Sequence, residues 1–179
     1  MTKAFFLDGE LVRGDRFEVA FDEPFFAHGH GLFETLRTHR GRPCFLRPHV
    51  DRIRDTASRV GLDFSSDEAA IRELIGRLLE AIESPDARIK FHLLGRRDGR
   101  TSLLVTAEAI PPIATEFPVE AITRCATAFR DRGMAGLKTM NYMTNRLAEA
   151  EGRERGFGEV LFIGDDDTVF EGTRSTVFA

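Results

Sequence analysis

The sequence predicts an α/β (α+β) protein, because β-hairpin patterns alternate with amphipathic helical stretches. Two Asp-Gly pairs, at 8–9 and 98–99, each join two runs of apolar residues, which is typical of a β-hairpin. Between these hairpins, two segments carry apolar residues at helical spacing. With 179 residues the chain is long enough to bury a core, as one large domain or as two small ones.

The first elements along the chain are two hairpins. The first is AFFLDGELVRG, residues 4–14, with its turn at Asp8-Gly9. The second is PFFAHGHGLFETLRTHRGRPCFL, residues 24–46, with its turn at Arg40-Gly41-Arg42-Pro43. A third hairpin is predicted further on, around the Asp98-Gly99 turn.

Two helices are expected between the second and third hairpins. The first ends before Gly61 and has one apolar face, formed by Val50, Ile53, Ala57 and Val60. The second carries an apolar stripe from Ile71 to Ile82 and ends at Ser84-Pro85-Asp86. Ser65 and Glu68 have the spacing of a capping box at its start.

The C-terminal third begins after a proline-rich stretch that marks a domain boundary or a crossover, with Pro111, Pro112 and Pro118. VEAITRCATAF, residues 119–129, predicts a strand, and Thr139–Arg155 predicts a helix that Gly156 terminates. The remainder predicts a strand, an acidic turn, a short strand and the start of another strand in STVFA. Because the sequence stops within that apolar run, we expect a truncated chain.

Composition and charge exclude several classes of function. A net charge of −4 and a pI near 5.8 argue against a nucleic-acid-binding surface. No apolar run approaches the roughly 20 residues of a membrane helix, and the first ten residues do not form a signal peptide. Cys44 and Cys125 show no metal-ligand spacing and fit small core residues, so a reduced, cytoplasmic protein is expected.

Lys138, in GLKTMNY, is unusual for this chain. Of 25 basic residues only Lys3, Lys90 and Lys138 are lysines, which leaves 22 arginines. Arginine would supply a surface charge equally well, but only lysine loses its proton readily and becomes a nucleophile. Its apolar neighbours therefore favour amine chemistry at Lys138, such as an imine with a carbonyl substrate or with pyridoxal phosphate.

A pyridoxal phosphate site needs three further groups. An acidic side chain must face the pyridine nitrogen, cationic or N–H donors must hold the phosphate, and some group must bind the substrate carboxylate. Glu171 in VFEGTR fits the first requirement, and Arg52 in HVDRIR fits the second.

Three segments together carry a family resemblance: AHGHGLFETLRTHRGRPCFLRPHVDRIRDTASRVGL, LKTMNYMTNRLAEAEGRERGFGEVLFIG and VFEGTRSTVF. In this order they resemble the class IV aminotransferases, the fold-type IV pyridoxal 5'-phosphate enzymes. That family includes branched-chain and D-amino acid aminotransferases and 4-amino-4-deoxychorismate lyases. The resemblance implies a smaller N-terminal α/β domain, residues 1–112, and an incomplete β-rich C-terminal domain, residues 113–179. It also implies a homodimer with the cofactor in the cleft between the domains.

The resemblance assigns roles by position. Lys138 is similar to the catalytic Schiff-base lysine, Glu171 to the partner of the pyridine nitrogen, and Arg52 to the phosphate ligand. Asn141, Tyr142, Ser175 and Thr176 fall among the cofactor-binding positions, although Tyr142 also fits a packing role. Thr176 stands where the family usually has Asn, so its backbone N–H is the group expected to serve.

The substrate side is less defined. Phe33 and Glu34 lie on a strand that lines the substrate pocket in the family. Arg96, close to Arg97 and Arg100, fits either a substrate-carboxylate ligand or a solvated turn. His28 and His30, expected on one face of a strand, fit polar pocket lining better than a metal site, since no third ligand is apparent.

The expected activity is transfer of an amino group between an amino acid and a 2-oxo acid through the lysine Schiff base. A 4-amino-4-deoxychorismate lyase, which releases pyruvate and 4-aminobenzoate, is the alternative, favoured by the short Lys138–Asn141 spacing and by GLFET. The abrupt end of the sequence leaves a third alternative, a non-catalytic remnant without cofactor.

Overall fold

The computed structural model describes residues 3–111, 120–125, 137–164 and 166–178. The chain divides into two compact units. The first contains the elements up to Ala109 together with Lys138–Met140, and the second contains the described elements from Ala121 onward, apart from those three residues. Pro112 and Pro118, which the sequence marked as a boundary, lie outside the described residues.

The first unit is built on an antiparallel sheet with the strand order β2-β1-β6-β5-β3-β4. Its strands are β1 (Ala4–Leu7), β2 (Glu10–Arg13), β3 (Gly31–His39), β4 (Arg42–Pro43), β5 (Ala87–Gly95) and β6 (Thr101–Ala109). All three predicted hairpin turns are confirmed, although β4 begins within the second one. Asp8, Gly9, Arg40 and Gly41 have positive φ, as tight hairpin turns require.

Helices α2 (Leu46–Arg59) and α3 (Glu68–Ala81) pack against this sheet. Their apolar stripes, as the sequence predicted, join alternate residues of β3, β5 and β6 in one core. Along β3 the even-numbered side chains from Leu32 to Thr38 are buried, and the odd-numbered ones from Phe33 to Arg37 are half-buried. β3 therefore has one face toward the core and one face away from it.

Three expectations in this unit are wrong. PFFA forms a short helix, α1 (Pro24–Ala27), with proline in its first turn, so His28 and His30 precede β3 instead of sharing a strand face. Asp67, not Ser65, caps α3 by accepting a hydrogen bond from the Ala70 N–H at 2.8 Å. That helix ends at Ala81, before Ser84.

The second unit contains β7 (Ala121–Cys125), α4 (Met143–Glu154), β8 (Glu159–Ile163) and β9 (Val169–Gly172). β7 and β8 are parallel, and β9 is antiparallel to β8. Helix α4 packs on β8, where Gly152 lies so close to Val160 that an added Cβ would meet its methyl group at 2.6 Å. Gly156, with φ of 83°, follows the helix as predicted.

Two expectations differ here. Helix α4 begins at Met143 instead of Thr139, because residues 139–140 pair with β3. The final run is not a strand in the described residues up to Phe178. No described helix has the length and apolarity needed to cross a membrane.

Candidate functional site

Lys138 is fixed by backbone hydrogen bonds to the start of β3. The Phe33 N–H donates to the Lys138 carbonyl at 2.9 Å, and the Met140 N–H donates to the Gly31 carbonyl at 2.9 Å. Between them, Leu32 and Thr139 form an antiparallel bridge. The lysine backbone is therefore held in register with β3, although the segment is not itself a strand.

The Lys138 side chain lies over an aromatic ring. Its Nζ is 4.7 Å from the ring centroid of Phe33, whose side chain is on the β3 face that points away from the helices. The backbone pairing beside the lysine leaves no room for a side chain at position 31, because a Cβ on Gly31 would meet the Met140 Sδ at 2.4 Å and the Leu93 carbonyl at 2.8 Å. The structure thus brings Phe33 and Lys138, two predicted site residues, together.

The opposite face of β3 carries a buried ion cluster. Glu34 is 1% exposed, and its carboxylate accepts hydrogen bonds from Arg52 Nε and Nη2, both at 2.5 Å, and contacts His49 Nδ1 at 2.7 Å. Burial alone would raise the pKa of Glu34, but the hydrogen bonds from His49 and Arg52 outweigh it and lower the pKa. Arg52, the predicted phosphate ligand, is therefore oriented by a carboxylate while half of its side chain stays exposed.

His92 lies beside Phe33 on the face that carries Lys138. The two rings are stacked, with centroids 5.9 Å apart, and the two residues are register partners in β3 and β5. Burial, together with the nearby charge of Lys90, lowers the pKa of His92 to about 4. Its Nδ1 is buried and has no hydrogen-bond partner in the structure. A neutral imidazole therefore borders the ring beneath the lysine amine.

The arginines of the third hairpin are paired with carboxylates. Arg96 contacts Glu23 at 3.1 Å, Arg97 contacts Asp22 at 2.5 Å, and Arg100 contacts Asp98 at 2.7 Å. Arg96 also donates to the Ser102 hydroxyl at 3.3 Å. These contacts fit the alternative of a turn stabilised by ion pairs, and a substrate-binding role for Arg96 stays a prediction.

In the second unit, Tyr142 precedes α4 and Glu171 lies on β9. Burial, and to a smaller degree the negative charge of Glu171, raises the pKa of Tyr142, so its phenol remains protonated at neutral pH. Glu171 is exposed, as is Asn141 just before Tyr142. Electrostatics thus link Tyr142 and Glu171, two residues that the sequence assigned to the cofactor.

Ser175 and Thr176 follow β9 in an exposed turn. The Ser175 hydroxyl donates to Glu159 Oε2 at 2.5 Å, and Thr173 also donates to Glu159. Asn145 on α4 donates to the Thr173 carbonyl at 3.1 Å. This turn is therefore tied to both α4 and β8.

No metal site accompanies these residues. Within the described residues, no group of three or more histidine, cysteine or acidic side chains could hold a metal ion. His30 instead contacts the Val60 carbonyl through Nε2 at 3.3 Å.

Sequence reasoning missed two parts of this arrangement. The pairing of Glu34 with Arg52 and His49 was not predicted, although a signal existed: a glutamate at the inward position between Leu32 and Leu36 needs a buried cation. The hydrogen bonds that Glu159 accepts from the turn after β9 were also not predicted. No local sequence pattern indicates them, because they form only when β8 and that turn pack together.

Comparisons with known proteins agree with the fold. The family model described as amino-transferase class IV matches residues 31–179. A bifunctional aminodeoxychorismate lyase / D-amino acid transaminase from Mycobacterium tuberculosis is 28% identical, over 96% of this chain and 64% of its own length.

Two solved structures are similar in fold. One is a branched-chain aminotransferase from Thermoproteus uzoniensis with norvaline, with 22% identity and a TM-score of 0.77 over 97% of this chain and 63% of that one. The other is the PLP-bound form of a hypothetical aminotransferase from Mycobacterium tuberculosis, with 24% identity and a TM-score of 0.80. The match covers 96% of this chain and 66% of that one.

The chain thus spans just under two thirds of the length of the curated relative. The predicted α/β (α+β) fold of the fold-type IV enzymes is confirmed by these structural similarities. The family model covers well over half of the chain, and its match includes Phe33, Arg52, Lys138 and Glu171. The chain belongs to the class IV aminotransferase family.

Proposed function

We propose that this chain forms part of a pyridoxal 5'-phosphate-dependent aminotransferase that moves an amino group between an amino acid and a 2-oxo acid. The observation that carries the proposal is the fixed position of Lys138. Its backbone is bonded to β3 and its amine lies over Phe33. A lysine that only supplies surface charge would require neither backbone hydrogen bonds to a strand nor an aromatic ring beneath its amine.

The chemistry of the donor set fits the cofactor. Lys138 offers an amine, Arg52 a guanidinium for the phosphate, and Glu171 a carboxylate for the pyridine nitrogen. When bound, the cofactor supplies an aldehyde that condenses with an amine and a ring that withdraws electrons from the substrate Cα.

In this proposal Lys138 moves the proton. The Lys138 Nζ would hold the cofactor through its aldehyde, and as a free amine it would act as the base that takes the proton from the substrate Cα and gives it back to complete the transfer. The ring of Phe33 beneath the amine excludes water and limits the positions that Nζ reaches. Phe33 thus also borders the substrate, and Arg96 is retained as a proposed carboxylate ligand.

The remaining residues hold the cofactor. Arg52 contributes a charge oriented by Glu34, whose carboxylate fixes the Nε edge of the guanidinium. Asn141 and Tyr142 contribute polar contacts next to the lysine, and Ser175 and Thr176 contribute the turn after β9. Glu171 acts at the pyridine nitrogen because an anion there keeps that nitrogen protonated.

A lyase is the second candidate. The relative from Mycobacterium tuberculosis is named as both an aminodeoxychorismate lyase and a D-amino acid transaminase, and it is 28% identical to this chain. The two activities differ in whether a 2-oxo acid acceptor is needed.

The proposal has two further parts: a cytoplasmic location, which rests on the two cysteines without metal-ligand spacing, and a homodimer, which rests on the family resemblance. Its ligands are small molecules, an amino acid and a 2-oxo acid, and not nucleic acids or membranes. The net charge of −4 supports the exclusion of nucleic acid.

The test is turnover by the cofactor-loaded protein, with and without an added 2-oxo acid. An aminotransferase converts the amino acid only when the acceptor is present. Release of pyruvate from aminodeoxychorismate without an acceptor would identify the lyase. Lys138→Arg, which keeps the charge and removes the nucleophile, is the matched control and abolishes either activity. Full activity of Lys138→Arg would refute the proposal.

A further inference from the structure

The sheet of the first unit carries a row of three polar side chains on the face that points away from the helices. Lys90 on β5 has Thr35 on β3 as its register partner on one side and Thr106 on β6 on the other. All three residues are half-buried. Cross-strand partners have Cβ atoms about 5 Å apart, so the lysine side chain starts between two threonine hydroxyl groups. We call these three residues the Lys90 row.

The Lys90 row has no protein partner for its polar groups. Among the described residues, its amine and its two hydroxyl groups form neither a hydrogen bond nor an ion pair. On the same face, His92 Nδ1 and Arg37 Nε are buried without a partner. On the opposite face of β3, by contrast, Glu34 and Thr38 are both hydrogen-bonded within the chain. The face without helices is therefore the one that leaves polar groups available for a ligand.

A cavity of about 550 Å³ adjoins the Lys90 row, and Lys90 and Thr106 line it. Its volume lies within the range of small-molecule sites. Its other two basic side chains, Lys3 and Arg88, are each paired with an acidic side chain of the same cavity. Within the described lining, Lys90 is therefore the cation whose charge is not balanced, which favours an anionic ligand.

The Lys90 row lies next to the ring beneath the Lys138 amine. Lys138 belongs to the same compact unit as the sheet, and its Nζ is 4.7 Å from the ring centroid of Phe33. Phe33 and Thr35 are two residues apart on β3, as His92 and Lys90 are on β5, so the two rows are about 7 Å apart along the strands. A molecule that reacts at Lys138 therefore approaches Lys90 with a group several bonds away from its reacting end.

We propose that Lys90, with the hydroxyl groups of Thr35 and Thr106, binds a carboxylate at the non-reacting end of the substrate and so selects dicarboxylic amino acids and dicarboxylic 2-oxo acids. A lysine amine and a carboxylate form charge-assisted hydrogen bonds, and each hydroxyl group adds one donor. The inference rests on the proposed function, which leaves the 2-oxo acid unspecified. Arg96 stays the proposed ligand of the other carboxylate.

The experiment compares two acceptors of equal chain length, 2-oxoglutarate and 2-oxopentanoate, which lacks the second carboxylate. Turnover is measured with the cofactor-loaded wild type and with Lys90→Met, which keeps most of the side-chain length but removes the charge. We expect kcat/KM for 2-oxoglutarate to fall at least about tenfold in the variant, the equivalent of 1.4 kcal/mol. The value for 2-oxopentanoate should fall less than about threefold. Equal losses for the two acceptors, or no loss, would overturn the inference.

Lys3→Met is the matched control. It removes the other lysine of the same cavity, whose amine is 2.9 Å from Asp15. Neither acceptor should change its kcat/KM by more than about twofold, because that exposed pair does not face the substrate. A loss for 2-oxoglutarate as large as in Lys90→Met would overturn the inference, since the total charge of the cavity would then set the preference.

Glutarate, a dicarboxylate without a reacting group, separates a substrate carboxylate from that of an independent ligand. It should inhibit competitively against the 2-oxo acid, whereas noncompetitive inhibition would assign the cavity to a separate ligand and overturn the substrate role. If the wild type has no aminotransferase activity, the proposed function fails, and the backbone amide NMR shifts of Thr35 and Thr106 decide whether Lys90 binds a carboxylate.

Those shifts should move with glutarate in the wild type and stay in place in Lys90→Met, and unmoved shifts in the wild type would refute the inference. Lys90→Gln replaces the methionine variant if that variant does not fold.

Discussion

Glu34→Gln is expected to destabilise the first unit strongly, because Glu34 is 1% exposed and accepts three close contacts from Arg52 and His49. A glutamine places an NH₂ group where one of these donors now binds. Breaking a buried ion pair costs about 3–5 kcal/mol. The Arg52 side chain is half-exposed and regains water when unpaired, so the lower end, about 3 kcal/mol, is the expected loss.

Urea unfolding measures this loss. With a slope of about 1–3 kcal/mol per molar urea, the midpoint should fall by roughly 1–3 M. Glu108→Gln is the matched control, since it breaks the exposed Arg88–Glu108 pair, where 68% of the Glu108 side chain is accessible. That pair is expected to contribute less than about 1 kcal/mol. Similar losses for the two variants would refute the account of Glu34 as a buried anchor.

The pH dependence provides a second check on Glu34. Its pKa is lower in the folded than in the unfolded chain, so its stabilising effect is complete above the ordinary value of 4.5. The effect is lost as the pH falls through the lowered folded pKa. Glu34→Gln should lack this part of the acid dependence, and an unchanged acid profile would contradict the assignment.

The remaining predictions concern close contacts and a buried histidine. Gly31→Ala pushes Met140 and the Leu93 carbonyl away, so borohydride labelling of Lys138 should fall; unchanged labelling would contradict this. Gly152→Ala meets the Val160 methyl and should cost about 1–3 kcal/mol in thermal unfolding. Because the His92 pKa is about 4 against 6.5 ordinarily, wild-type stability should fall by at most about 3 kcal/mol from pH 6.5 to 4. His92→Phe keeps the stacking and should abolish that fall; a retained fall would refute it.

Local patterns in the sequence determined much of the fold. The Asp8-Gly9 turn and the apolar stripe of α3 are short-range signals, and both elements formed as predicted. The predictions for PFFA and for residues 139–142 were wrong, for different reasons. A proline at the first helical turn favoured a short helix in α1, and pairing with β3 kept the lysine segment out of α4.

The candidate site was predictable only in part. Lys138 was singled out because lysine is rare in this arginine-rich chain and because its sequence neighbours are apolar. In the structure its amine lies over the ring of Phe33. The partners of Arg52 were not found, since Glu34 and His49 meet it only after β3 and α2 pack together. Ser175 was assigned by resemblance, but its hydroxyl contact with Glu159 depends on long-range packing that no local pattern encodes.

The most direct test of the central claim is to identify which lysine carries the cofactor. The chain has three lysines, Lys3, Lys90 and Lys138, so peptide mapping after borohydride reduction gives an unambiguous answer. The protein is incubated with pyridoxal phosphate, reduced, digested and examined by mass spectrometry. Our account predicts stoichiometric label on Lys138 and none on the other two. Label on Lys3 or Lys90 in preference to Lys138, or no label at all, would contradict it.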